Sequence, residues 1–322
     1  MNMEIGSEFW DIPVEKDNHL FPDDTYWFVS GRSALKAIIA DNSITTATLP
    51  IWCCDSMIKP FIETGVKVSF YKDEPINADV ALVMDYFGYA TDKSYCNYPG
   101  IVIRDLTQSL FSKEYHDADY YFGSLRKWAG FWTGGYAWGF RNRVLYSEDN
   151  TSYSDLRRKA MDMKAQYICG KIDSKEYLSV FEQAEKKLEN VGILPADERD
   201  RQAAQLLDIS KLKEKRRKNA SVLLETLGEY AFFPDMKEDD CPMFVPICVP
   251  DGKRDELRQC LIQNKIYCPV HWPVSKYHHL DRTTEQLYSQ ELSLVCDQRY
   301  SEVDMERMAF IIKQFFIERA YL

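Results

Sequence analysis

"YYFGSLRKWAGFWTGGYAWG", residues 120–139, places Arg126 and Lys127 in a row of aromatics and glycines that otherwise reads as protein interior. A charged amine flanked by Trp128, Phe131 and Trp132 is costly to bury. The expectation is therefore a lysine with a depressed pKa or a covalent partner, and both suit an amine that attacks a carbonyl. The competing reading is a snorkelling or paired lysine on a loop, the common fate of a lone lysine. Which reading holds depends on what the rest of the chain brings to the same place.

The chain has 322 residues, 45% of them hydrophobic, which suffices for one large α/β domain or a large domain with a smaller companion. Forty basic against fifty acidic side chains leave a formal charge of -10, which argues against nucleic acid as a partner. The stretch "MNMEIGSEFWDIPVEKDNHL" has no basic region followed by an apolar run, and no stretch approaches a membrane span, so a cytoplasmic protein without membrane contact is expected. Nine cysteines without framework spacing read as reduced thiols rather than disulfides.

From about residue 25 to 140 short β-rich runs alternate with helical ones: "TYWFVS" then "GRSALKAIIADN", followed by "TTATLPIW", "VKVSFYK", "VALVMDY" and "GIVIRDL". "CCDSMIKPFIETG" reads as a helix ending at Gly65. Residues 151–190 are charged, periodic and helical, and one long helical reading runs through "RDRQAAQLLDISKLKEKRRKNASVLLETLG". "MFVPICVP", "KRDELRQCLIQNK", "IYCPVHWP" and "EVDMERMAFIIKQFF" then give strand, helix, strand or loop, and closing helix. The expectation is a largely parallel sheet domain over 1–200 and a small C-terminal α+β domain over 201–322.

Three pieces combine around the lysine. In "SGRSALKAII", Gly31 stands between a strand and a helix whose first turn, with the Ser33 hydroxyl, offers donors to a phosphate. In "GIVIRDLTQSL", Asp105 ends a strand, where open α/β sheets put ligands, with Gln108 just beyond; capping of a turn is the alternative role of Asp105. In "GSLRKWAGFWTGG", Ser124 precedes Lys127 by three residues. An amine for an aldehyde, a carboxylate for a pyridinium nitrogen and donors for a phosphate are what pyridoxal phosphate needs.

The order Gly-Arg-Ser, Asp, Ser-x-x-Lys and Gly-Gly resembles fold-type I pyridoxal-phosphate enzymes, and more closely the DegT/DnrJ/EryC1/StrS sugar aminotransferases. "GRSALKAII", "LPIWCCDSMIKPFIETGVKVSFYKDE", "VALVMDYFGYATD", "IVIRDLTQSL" and "IYCPVHWPVSKYHHL" each resemble an element of that family, so most of the chain is covered by loose motifs. The resemblance implies an aspartate-aminotransferase-like fold. It further implies that Lys127 is the amine that condenses with the cofactor aldehyde and shuttles a proton, that Asp105 meets the ring nitrogen, and that Gln108 lies near the phenolic oxygen or ring face. Ser124 and the Gly31–Arg32–Ser33 backbone would hold the phosphate. The position against the ring falls at Trp52, which has the π-face, or at Cys54, which the alignment favours. A homodimer that moves an amino group from glutamate to a small-molecule keto acceptor, a nucleotide-linked keto-sugar, is the implied activity. The Ser124-to-Lys127 spacing is shorter than usual in this family, Pro195 stands where many members have an asparagine reaching the partner's cofactor, and the helical stretch 151–190 is atypical.

Arg126 and His271 are the candidate substrate-binding residues. Arg104 is set aside because strand alternation points it away from Asp105. Cys268, His271, His278 and His279 match no standard zinc spacing, so no metal is expected. Vicinal Cys53 and Cys54 read as buried small hydrophobes, and the basic run "KLKEKRRKN", residues 211–219, as a solvated helix face. Two other functions stay open: elimination or dehydration with the same cofactor, and a non-catalytic scaffold or regulatory protein that kept the fold.

Overall fold

A computed structural model describes residues 4–14, 18, 20–147 and 152–320, with the side chains of 318–320 excluded. Its centre is a seven-stranded sheet built from β2 (Tyr26–Phe28), β3 (Thr46–Pro50), β4 (Lys67–Tyr71), β5 (Val80–Met84), β6 (Ile101–Asp105), β7 (Tyr120–Ser124) and β8 (Gly135–Trp138); the short β1 (Ile5–Gly6) lies elsewhere. The order across the sheet is β2-β8-β7-β6-β5-β3-β4. Strands β3 to β7 run parallel, and β8 is antiparallel to both its neighbours, β7 and β2. The uninterrupted apolar run Val80–Met84 is buried throughout, as a central parallel strand covered on both faces must be.

Crossover helices cover the sheet. α1 (Gly31–Ala40) begins at Ser30, whose extended backbone and hydroxyl cap the amide of Ser33. It buries Ala34, Leu35, Ile38 and Ile39, a stripe at helical spacing. α2 (Asp55–Glu63) follows β3 and ends before Gly65, whose φ of +81° is one that glycine adopts without strain. The charged stretch after β8 folds as a helical hairpin, α3 (Ser152–Ile168) and α4 (Tyr177–Leu188).

One expected long helix is two. α5 (Glu198–Gln205) stops, Leu207 forms a bridge to Val14, and Asp208 starts α6 (Ile209–Leu227) by accepting from the Lys211 amide at 3.0 Å. A side-chain cap and a buried, strand-like Leu207 outcompete continuous helix here. The basic run on α6 also differs from expectation. Leu212, Arg216, Asn219, Ala220 and Leu223 share its buried face, so Arg216 turns inward while its basic neighbours stay outside.

The C-terminal part packs the antiparallel pair β9 (Phe244–Cys248) and β11 (Glu291–Val295) with α6, α7 (Arg254–Gln263) and α9 (Glu302–Ala320). α8 (Arg282–Gln290) leads directly into β11; neither was expected from the sequence. β10 (Ile266–Tyr267) pairs in parallel with β1, so Ile5 sits in this second core.

The carboxyl ends of the parallel strands all face one edge, and the start of α1 joins them there. Close approach fixes that edge, because a Cβ on Gly135 would fall on the carbonyl of Ser30 and crowd the amide of Gly31. Gly135→Ala should therefore lower stability by about 1–3 kcal/mol in urea denaturation. Gly228→Ala is the control, since φ is -58° there and, its own helix and chain neighbours aside, no atom of the described residues lies within 4 Å of where a Cβ would stand. That change should leave stability equal or raise it by about 0.4–1 kcal/mol.

Candidate active site

Between β7 and β8 the chain makes a single 3₁₀ turn, Leu125–Lys127, closed by the Trp128 amide on the Leu125 carbonyl at 2.9 Å. The aromatics that follow point inward. Trp128 is fully buried, its indole N–H donates to the Thr107 carbonyl at 2.8 Å, and its ring lies edge-on to Phe111 at 4.8 Å. The Arg216 guanidinium covers it at 4.6 Å, and both Arg216 and Gln298 donate to the Trp128 carbonyl. Phe131 is buried as well, and Trp132 is covered by the Arg199 guanidinium at 4.0 Å.

Lys127 is left on the opposite side of the turn. It is exposed, and its amine has no hydrogen bond or ion pair among the described residues. The burial expected from its aromatic neighbours is thus not found: the turn sends them and the lysine to opposite sides.

A cavity of about 260 Å³ lies at the carboxyl edge of the sheet, with Lys127 on its wall. Ser30, Gly31 and Arg32 close one side and Ser124 stands beside them. The Ser124 hydroxyl oxygen is buried without a partner among the described residues, as is Nε of Arg32. The rest of the Arg32 guanidinium is committed, donating to the Leu188 carbonyl at 2.5 Å and to Ser56 Oγ at 2.9 Å. Gly31 packs so close to the Gly123 carbonyl that a Cβ would sit 3.3 Å from it. The opposite side holds Asp105, Thr107 and Gln108. Gln108 Oε1 accepts from the Phe87 amide at 2.6 Å, which fixes the side chain.

Two sequence candidates stand behind this wall rather than in it. The Ser33 amide is used by the Ser30 cap, and its hydroxyl donates to the Gly192 carbonyl at 2.8 Å. Trp52 stacks on Tyr86 at 4.8 Å and donates to the His271 carbonyl, while Cys54 and Trp272 line the cavity. Trp272, Ser56 and Glu185 are lining residues that sequence reasoning missed; the aromatic in "HWP" was the one visible signal. Arg104 is buried on the other face and clamps Asp117 with Nε and Nη2.

A second cavity of about 640 Å³ shares Arg126, Lys127, Glu185, Met243 and His271 with the first. Arg126 is bound to Glu185 at 2.8 Å and to the Tyr153 hydroxyl. The helical hairpin thus supplies part of both walls. The four side chains Cys268, His271, His278 and His279 do not converge: His271 bonds Ser293, and His278 lies against Cys53 and Tyr288. No group of three or more metal-ligating side chains is found among the described residues, and no helix among them is long and apolar enough to cross a membrane. All nine cysteines are free thiols.

The sequence matches no protein-family model and no curated protein. Solved structures do match. PseC of Helicobacter pylori, an aminotransferase involved in the biosynthesis of pseudoaminic acid, has a TM-score of 0.66 and 15% identity over 91% of this chain and 87% of its own. A DegT/DnrJ/EryC1/StrS aminotransferase from Brucella abortus gives 0.61 and 16% over 93% and 86%. NtdA of Bacillus subtilis, solved with bound cofactor PMP, gives 0.59 and 17% over 90% and 73%. This is the fold of the DegT/DnrJ/EryC1/StrS aminotransferases.

In this aminotransferase fold the carboxyl edge of the sheet carries a buried acid, Asp105, with no cation paired to it among the described residues. Asp105 is 4% exposed, and burial pushes its carboxyl up to about 6 against the hydrogen bonds from Thr107, one of them 2.7 Å from amide to Oδ1. A carboxyl raised in the folded state costs stability once it ionises. The cost is absent below the unfolded value near 4, grows up to about pH 6 and is constant above, reaching about 3 kcal/mol for about two units. Asp105→Asn, measured by urea denaturation with no ligand added, should therefore be more stable than the parent at pH 8 by up to that amount and equal to it near pH 4.

Proposed function

We propose that this chain is a pyridoxal-phosphate-dependent aminotransferase that moves an amino group from glutamate to a keto acceptor, a nucleotide-linked keto-sugar, and that it works as a cytoplasmic homodimer. The observation that carries the reading is one cavity walled by a partner-free lysine amine, a buried carboxyl raised by desolvation, and a buried serine hydroxyl without a partner beside a helix start. Donor, acceptor, assembly and location follow from the resemblance of the motifs to the sugar aminotransferases.

The cavity's donor set fits the cofactor. The orphaned Ser124 hydroxyl and the first amides of α1, at Gly31 and Arg32, suit a phosphate, because a helix start concentrates unpaired N–H groups and positive potential. Asp105, at the other side, suits a protonated ring nitrogen, since a nearby cation repays the desolvation that now raises its carboxyl. Gln108 is anchored through its oxygen to Phe87 and keeps its amide protons for the ring substituents. Cys54 and Trp272 line the same cavity and are the side chains this reading assigns to the ring faces.

When bound, pyridoxal phosphate supplies an aldehyde for an amine and a ring that withdraws electrons from an adjacent carbon. Lys127 Nζ is the amine offered to that aldehyde and the base that carries a proton to and from the donor's α-carbon. Asp105 holds the proton on the ring nitrogen. Arg126 and His271, shared between the two cavities, face the substrate.

Borohydride reduction of protein loaded with pyridoxal phosphate should fix the cofactor on Lys127, as read by peptide mass, and Lys127→Ala should abolish the adduct while circular dichroism stays unchanged. An adduct on another lysine would refute the assignment. Glutamate added alone should convert the bound cofactor to its pyridoxamine spectrum with release of one keto acid. Ammonia release without that spectrum would support elimination, and absence of cofactor binding would support the scaffold. Asp105→Ala should weaken cofactor binding and slow the glutamate half-reaction by at least an order of magnitude, an electrostatic contact in a desolvated site being worth about 1.5–3 kcal/mol.

A further inference from the structure

Behind His271 stands a buried chain of hydrogen bonds that the chemistry above does not use. Glu291 and Ser293 are two apart on β11, so they share one face of the strand while Leu292 and Leu294 take the other, and all four are fully buried. Ser293 Oγ donates to Glu291 Oε1 at 2.5 Å and lies 2.8 Å from His271 Nδ1. The second oxygen, Oε2, accepts from the His271 backbone N–H at 2.6 Å. Glu291 has no ion-pair partner among the described residues.

The count of hydrogens decides what the imidazole can present. An ionised carboxylate only accepts, and a hydroxyl has one proton to give. While Glu291 is ionised, Ser293 gives its proton to it, so toward Nδ1 the hydroxyl can only accept, and Nδ1 must carry the ring's proton. A neutral imidazole has one N–H, which leaves Nε2 as a bare acceptor. Neutrality is enforced by burial and by the Lys127 charge, which hold His271 down at about 3. Nε2 has no partner among the described residues, and the ring, flanked by Phe87 at 5.5 Å and Phe244 at 5.0 Å, belongs to a residue lining both cavities.

We propose that ionised Glu291 and Ser293 are positioning residues that hold His271 in the Nδ1–H tautomer, so that the substrate cavity is offered a lone pair at Nε2. Such a nitrogen suits a hydroxyl or ammonium proton of the substrate and gives nothing to a phosphate or carboxylate. The role toward substrate rests on the aminotransferase reading; the tautomer does not.

Long-range proton–nitrogen NMR spectra of the full chain, labelled with ¹⁵N-histidine, read the tautomer directly. His271→Gln assigns the ring among five histidines. Burial pushes Glu291 up to about 7, so the spectra are taken at about pH 8.5, where its carboxylate is charged. The parent protein should show an unprotonated Nε2 and a protonated Nδ1. Glu291→Gln should reverse them, because the new amide can accept from the His271 backbone and donate to Ser293, turning the hydroxyl proton toward Nδ1. A parent protein in the Nε2–H form, or a folded Glu291→Gln that keeps Nδ1–H, would overturn the proposal. Should Glu291→Gln not fold, Ser293→Ala is expected to give a mixture of tautomers, and a pure Nδ1–H signal there would overturn it equally. The glutamate half-reaction on the same preparation separates the two ideas, since its failure beside an Nδ1–H signal refutes the aminotransferase and leaves the relay standing.

Discussion

The hydrogen bond from the Trp128 indole to the Thr107 carbonyl holds the site together. Thr107 uses its amide to bind Asp105 and its carbonyl to bind the residue after Lys127. One residue thus ties the end of β6 to the turn after β7, and links the acid to the turn that carries the amine. The bond is protected by full burial of the indole and by the guanidinium of Arg216 stacked on it. Arg216 comes from α6; its Nη1 reaches the carbonyls of Pro242 and Met243, just ahead of β9, and its Nε donates to Gln298. Turn geometry is therefore set from both cores at once, which fixes where Lys127 stands on the cavity wall.

Around this frame, charges are arranged by what surrounds them. Asp105 has amides and burial but no cation, His271 has burial and a neighbouring amine, and the arginines of the larger cavity are mostly matched, Arg126 and Arg157 by Glu185 and Arg299 by Asp297. Matched pairs cost little reorganisation and stay in place. Unmatched groups have the most free energy to gain from a ligand, and Arg126 keeps one such group, an Nε without a partner among the described residues.

Much of this was legible because the decisive residues sit at strand ends. Asp105 closes an apolar run, Ser124 closes another, and Gly31 follows a third, so sheet order alone brings them to one edge. The burial of Lys127 was misread because residue order says nothing about which way a 3₁₀ turn throws its side chains. Arg216 was hidden in a basic run whose periodicity, not composition, shows the inward position. Glu291 and Ser293 were missed because "ELSLV" interrupts hydrophobicity with two polar residues, and only the loop carrying His271 explains why a strand would bury them. Ser33 and Trp52 have the chemistry for the cavity but spend it on the scaffold.

The pairing of Ile5 with Ile266 has a consequence in time. A ribosome makes Ile5 more than 250 residues before its partner, so the segment waits unpaired while that length of chain is synthesised. The second core cannot close until that loop of chain is drawn together, a long-range step that slows folding. For β1, emerging before its partner means being finished only when that partner arrives.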